Sequence, residues 1–274
     1  MVTSVCAFFA LTVVALRSFT GQALDDIVLT TLRVGHRQVL PLTDLLRTGV
    51  SELSVGVTII AVMAVAAARR RFALAMRMGV MIAGANITTQ LLKRWILDRP
   101  YLGVGLDLSN SFPSGHATVL VSVALAVVIV VSQRLRSKVA AVVSAGTALA
   151  LIVIIISGWH RPSDIVGAIL ISLAWAMTLA PQEEPVQAED PINTRMLVVS
   201  LSAISMSVVA VAVLWSRLQA LANSVYASGS VNAAIEAHTA LSFGFSLVSV
   251  VFIVGLAVLA INLIVYLQSG RRRH

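Results

Sequence analysis

The sequence predicts an all-α, polytopic helical membrane protein: a six-span core followed by two further C-terminal spans. Three observations predict it. Of the 274 residues, 58% are hydrophobic and only 12% are charged, against roughly a quarter charged in a soluble domain. The mean hydropathy is +0.93. Eight stretches nearly free of charge reach or approach the about 20 apolar residues that carry a helix across a bilayer. They lack the period-two alternation of barrel strands, so helices must satisfy the backbone in lipid.

In chain order the spans fall at about 2–16, 50–68, 72–92, 116–133, 139–158, 163–180, 196–214 and 243–267. The first has no basic residue before it, which speaks for an uncleaved span rather than a signal peptide. Arg69 to Arg71 separate the second from the third. Arg77, the one charge well inside a span, is placed to snorkel back to the headgroups. Arg134, Arg136 and Lys138 separate the fourth from the fifth, and a sharp turn at 159–162 joins the fifth to the sixth. The stretch Pro181 to Asn193 combines three prolines with four carboxylates and has no apolar periodicity, which marks a linker. The expected organisation is therefore a core at 1–180, a linker at 181–195 and a two-span extension at 196–274, the last a candidate surface for homo-oligomerisation.

The basic clusters at 69–71, 134–138 and 271–273 are separated by even numbers of crossings, so they share one side. The positive-inside rule makes that side cytoplasmic and places both termini there. The loops 17–49, 93–115, 159–162 and 215–242 then fall outside. A net charge of +8 and a pI near 11.0 arise from these clusters rather than from a continuous soluble patch, which points to a membrane surface and away from nucleic acid. A single cysteine, Cys6, excludes an intrachain disulfide framework and a four-thiolate zinc site.

Polar residues outside the cytoplasmic clusters gather in three groups. LLKRWILDRPYLG (91–103) places Lys93 and Arg94 at the end of the third span and Arg99 before Pro100, where the helix breaks and Arg99 can turn back toward Lys93. Ordinary juxtamembrane charge, with Asp98 pairing to Arg94, is the bland alternative. NSFPSGHAT (110–118) offers Ser114 as a cap, Gly115 for close approach and outward-pointing helix amides beside His116. SGWHRPSDIVGA (157–168) sets Asp164 four residues after His160, within reach of its ring. Parity brings all three groups to the outer face. Two histidines, a carboxylate, two cations and an open helix N-terminus at one boundary compose a phosphate site with its own nucleophile and acid.

At these residues the sequence resembles the type-2 phosphatidic acid phosphatase superfamily. PSGH at 113–116 is its second motif, His160 and Asp164 are the end of its third, and the resemblance covers about 50–180. It implies that His160 forms a phosphohistidine, Asp164 orients it and His116 protonates the leaving group, with Lys93, Arg99, Ser114 and Gly115 holding phosphate oxygens and no metal or other cofactor. Two positions depart from the pattern. Five residues rather than six separate Lys93 from Arg99, and Ile154 stands where the third motif has an arginine. Arg161 is the nearby candidate to take over that phosphate contact, with Arg94 as the next. The expected activity is metal-independent hydrolysis of a lipid phosphate or diphosphate such as polyprenyl diphosphate, phosphatidic acid or phosphatidylglycerophosphate. A lipid-linked phosphotransferase using the same phosphohistidine and a non-catalytic lipid-phosphate binder or transporter are the competing classes.

Overall fold

Apolar runs wind into helices here because lipid offers the backbone no other partner. The computed structural model describes residues 1–33, 60, 64, 70–104, 110–181 and 191–268. Its helices are α1 (Val2–Arg17), α2 (Phe19–Leu32), α3 (Phe72–Leu91, continued by a π turn over Leu92–Ile96), α4 (Gly115–Val130) and α5 (Gln133–Ile156). They continue with α6 (Pro162–Leu179), α7 (Pro191–Val213), α8 (Trp215–Ser228), α9 (Val231–Ala237) and α10 (Thr239–Gln268). Among the described residues there is no strand, and five helices are long and apolar enough to cross a membrane. The chain is an all-α, multi-pass membrane protein. Apart from Ile60 and Ala64, the predicted span 50–68 lies outside the described residues; each of the other seven predicted spans coincides with a helix, some running one to three residues past a helix end.

One apolar core joins α1, α3, α4, α5, α6 and α10 through side chains such as Leu16, Met78, Leu125, Leu151, Ile169 and Ile261. In lipid, close packing rather than release of water favours such contacts. The last helix is embedded in this core: α10 packs on α2, α4, α5 and α6 as well as on α7. Helix α7 begins at Pro191, inside the segment assigned to the linker, while 182–190 lie outside the described residues.

Two segments read as outer loops contain helices. Within 17–49, α2 turns by 86° from α1 at Ser18, whose hydroxyl accepts from the Gly21 amide at 3.0 Å and donates to the Val14 carbonyl. A Cβ at Gly21 would stand 2.0 Å from the Val14 carbonyl oxygen, so only glycine lets the two helices meet at this angle. Within 215–242, α8 and α9 bury Leu218, Leu221, Ala222, Val225 and Ala234 against Ala23, Leu24 and Ile27 of α2.

Helix α4 has 16 residues, about 24 Å of rise against a hydrocarbon core of about 30 Å. At least one of its ends therefore lies below the hydrocarbon boundary and needs protein partners for its unpaired backbone groups. Both ends have them. Ser114 caps the start, accepting from the Ala117 amide at 3.1 Å. At the other end Arg136, predicted as one of a cytoplasmic surface cluster, turns inward and donates to the carbonyls of Val128 (3.1 Å), Ile129 (3.3 Å) and Val131 (3.1 Å).

Candidate active site

The end of α3, the start of α4 and the α5–α6 turn come together at one end of the bundle. Pro162 opens α6 with a φ already suited to a helix, and Asp164, in the first turn, points back at the chain that precedes it. Its Oδ2 accepts from the Arg161 amide at 3.0 Å and the Ser111 hydroxyl at 2.7 Å, and it lies 3.3 Å from His160 Nδ1. Asp164 is fully buried, and His160 is 7% exposed. A carboxylate held from three directions fixes the orientation of the ring beside it.

His160 presents its other nitrogen, Nε2, to His116 Nδ1 at 3.3 Å. His116 occupies the first turn of α4, with the Trp159 ring 5.3 Å away between centroids. The two motifs are tied through the backbone as well, because the Ser114 amide donates to the Asp164 carbonyl at 2.9 Å. Gly115 lies against Gln90 of α3, whose Nε2 is 3.2 Å from where a Cβ would be.

The loop before α4 is fixed by apolar packing and by one amide. Phe112, fully buried, stacks on Phe8 of α1 with centroids 5.4 Å apart. Its ring fills the space left by Gly167, where a Cβ would come within 2.8 Å. Asn110 donates to the carbonyls of Lys93 (3.3 Å) and Leu97 (2.8 Å) and accepts from the Phe112 amide. It thereby joins the π turn, which carries Lys93, to the loop that carries Ser114 and His116. Such π turns recur at functional sites. Lys93 is half-buried, within electrostatic reach of Asp164.

Arg99 does not turn back toward Lys93. Its side chain, 5% exposed, faces α2, with NH2 3.6 Å from Asp26 and NH1 3.9 Å from Asp25. Among the described residues neither terminal nitrogen has a hydrogen-bond acceptor. Nor does Asp98 pair with Arg94; it forms an ion pair with Arg17 at the end of α1. Arg161 lies in the same buried cluster, its Nε on Asp26 and its NH1 donating to the Ser111 hydroxyl at 2.9 Å. Burial opposes the charge of Arg161, yet Asp26 beside it raises its pKa overall, whereas burial and Arg161 together lower that of Arg99. Ile154, at the third-motif position, is 2% exposed in the apolar core. Arg94 is exposed.

Sequence reasoning missed Asp25 and Asp26. They lie in α2, and Asp25 accepts from both the amide (3.0 Å) and the hydroxyl of Ser163. Two adjacent carboxylates in the otherwise uncharged run Phe19–Leu32 were the available signal. Arg33, at the end of α2, also reaches the third motif, where its stem lies over Gly158, a residue of positive φ (67°). Among the described residues, no group of three or more His, Cys, Asp or Glu side chains is placed to hold a metal ion.

Neither the curated proteins nor the solved structures contain a match to this chain. Residues 74–185 match the family model of the PAP2 superfamily, a stretch that includes Lys93, Arg99, the PSGH sequence, His160 and Asp164. The match agrees with the resemblance read from the motifs, and phosphatase-type chemistry is the coarse activity it indicates for this segment.

Proposed function

We propose that the protein hydrolyses a lipid phosphate or diphosphate through a phosphohistidine on His160, at the extracytoplasmic side of a cell membrane. The observation that carries this reading is the pair of 3.3 Å contacts that set His160 between Asp164 and His116. With Nδ1–H donated to Asp164, Nε2 keeps its lone pair. Nε2 attacks phosphorus, the bond to the leaving oxygen breaks, and His116 gives that oxygen a proton. Water then attacks the phosphohistidine while His116 takes back a proton, releasing phosphate and restoring the imidazole.

Lys93, the Gly115 amide, Arg99 and Arg161 supply positive charge to the equatorial oxygens. The two terminal nitrogens of Arg99, buried without an acceptor, support an oxyanion partner there. In this reading the phosphate competes with Asp25 and Asp26 for the arginines, and Ser114 shapes the anion site by capping α4. Transfer of the same phosphoryl group to a sugar or lipid hydroxyl differs only in the acceptor.

The direct experiment offers purified protein a panel of lipid phosphates, with and without EDTA and with and without an alcohol acceptor. Free phosphate should appear, EDTA should leave the rate unchanged, and vanadate should inhibit. Activity removed by chelator and restored by a divalent ion would overturn the metal-independent mechanism. His116→Ala should lose on the order of 10²- to 10⁴-fold with an alkyl phosphate and far less with nitrophenyl phosphate, whose leaving group needs no proton. Equal losses would deny His116 the acid role.

Sidedness has its own test. In a Cys6→Ser background, a membrane-impermeant thiol reagent applied to intact cells should label Tyr101→Cys and spare Arg134→Cys. Both positions are exposed. The reverse pattern would place the site in the cytoplasm.

A further inference from the structure

We propose that the two C-terminal spans, outside the family segment, wall a cavity that takes the hydrocarbon tail of the phosphate substrate. The inference rests on the lipid-phosphatase reading for the identity of the headgroup. The cavity is a half-open cleft of about 580 Å³ between α1, α2, α6, α7 and α10, within the ~300–1,000 Å³ range of ligand sites. Its walls are almost wholly apolar, with Leu11, Leu24, Val166, Val211 and Phe252 among them. A space of this size with so little polar surface is poorly suited to ordered water. Inside a membrane, hydrocarbon is what fills it.

Direction and polarity identify which hydrocarbon. The lining comes from the first half of α6 (162–170), the last third of α7 (207–211) and the middle of α10 (245–256). Successive spans run in opposite directions, so the α6 and α7 portions lie toward the end of the bundle that holds the histidines, and the α10 portion runs from that side to just past the middle of its helix. Ser207 and Ser249 on the α7 and α10 side donate their hydroxyls to carbonyls of their own helices, and the opposite wall carries Asp25 and Ser163. They are bonded to each other, Arg99 lies 3.9 Å from Asp25, and Ser163 stands between Arg161 and Asp164. A tail in the cavity thus brings its headgroup to the cluster that borders the nucleophile. The lined stretches of α6 and α10 run for about 10 to 16 Å, a depth suited to one extended chain.

The test uses full-length protein in nanodiscs and dodecyl phosphate with a diazirine near the far end of its chain. Irradiation should place label on α7 and α10 together, at cavity residues such as Val211 and Phe252. A diazirine-bearing phosphatidylcholine should instead label lipid-facing positions such as Val199 and Val209, which are 65% and 60% exposed. Val211→Trp, filling the cavity, should lower labelling by the alkyl phosphate about tenfold, as expected for excluding two methylene groups. Ser249→Trp fills it from the opposite wall and serves if Val211→Trp does not fold. Val209→Trp, on the lipid face, should leave labelling unchanged. Equal cavity labelling by both lipids, or labelling indifferent to both filling variants, would overturn the proposal. Because the readout needs no turnover, cavity labelling without phosphate release would retain the tail site and reject the phosphatase reading.

Discussion

His160→Ala is expected to abolish turnover, with a loss of roughly 10⁴- to 10⁶-fold, the scale seen when an enzyme loses its nucleophile. The neighbouring groups cannot replace it. His116 has its ring against His160 and Trp159, and in the proposed mechanism Lys93 serves the phosphate oxygens. Asp164→Asn should cost less, on the order of 10²- to 10⁴-fold. The amide keeps an oxygen for one donor, but Oδ2 now serves the Arg161 amide, Ser111 and His160 at once, and an NH₂ group cannot accept from them. The check is single-turnover kinetics with ³²P-labelled lipid phosphate, following acid-labile label on protein. Labelled His160→Ala protein would place the phosphoenzyme elsewhere and reject the mechanism.

Arg161→Ala has the largest expected effect on stability. Its side chain and that of Asp26 are 6% and 8% exposed, so solvent does little to screen either charge. Removing Arg161 leaves Asp26 buried with only the more distant Arg99, at 3.6 Å, and breaking a buried pair in this way costs up to about 3–5 kcal/mol. That corresponds to a fall in melting temperature on the order of 10 °C. Asp26→Ala should behave similarly, because Arg161 would lose its bonded carboxylate and share Asp25 and Asp164 with Arg99. The double variant should lose less than the sum of the two single losses. Arg161→Lys should recover only part, since an ammonium cannot serve Asp26 and Ser111 in the geometry of a guanidinium. Melting curves in one detergent test this. A drop below 1 °C for Arg161→Ala would show the pair to be dispensable to the fold.

The parts of the fold legible in the sequence were those whose signal is local. The spans follow from composition, and the three motifs meet at one end of the bundle because span parity brings them there. The Asp164–His160 contact follows from spacing within one helical turn. Asp26 was not legible as a partner of Arg161 because 135 positions separate them and α2 turns back only through the bend at Ser18. Arg99, read as facing Lys93, follows instead the nearer buried carboxylates. Helices α8 and α9 fall below span hydropathy, yet Leu218, Leu221, Ala222 and Val225 keep the i, i+3, i+4, i+7 spacing of a helix with one apolar face. That pattern was available where a search for spans alone sees a loop.

The amide of Ser114 bonded to the carbonyl of Asp164 makes the first turns of α4 and α6 one mechanical frame. His116 is two residues along one helix and His160 four residues before the other reference point, so their separation is set by short, stiff paths through a shared joint. Thermal motion of the surrounding spans can tilt or shift the frame as a body without changing the distance between acid and nucleophile. The entropy of bringing those groups together is then lost once, on folding, and not again in each catalytic cycle.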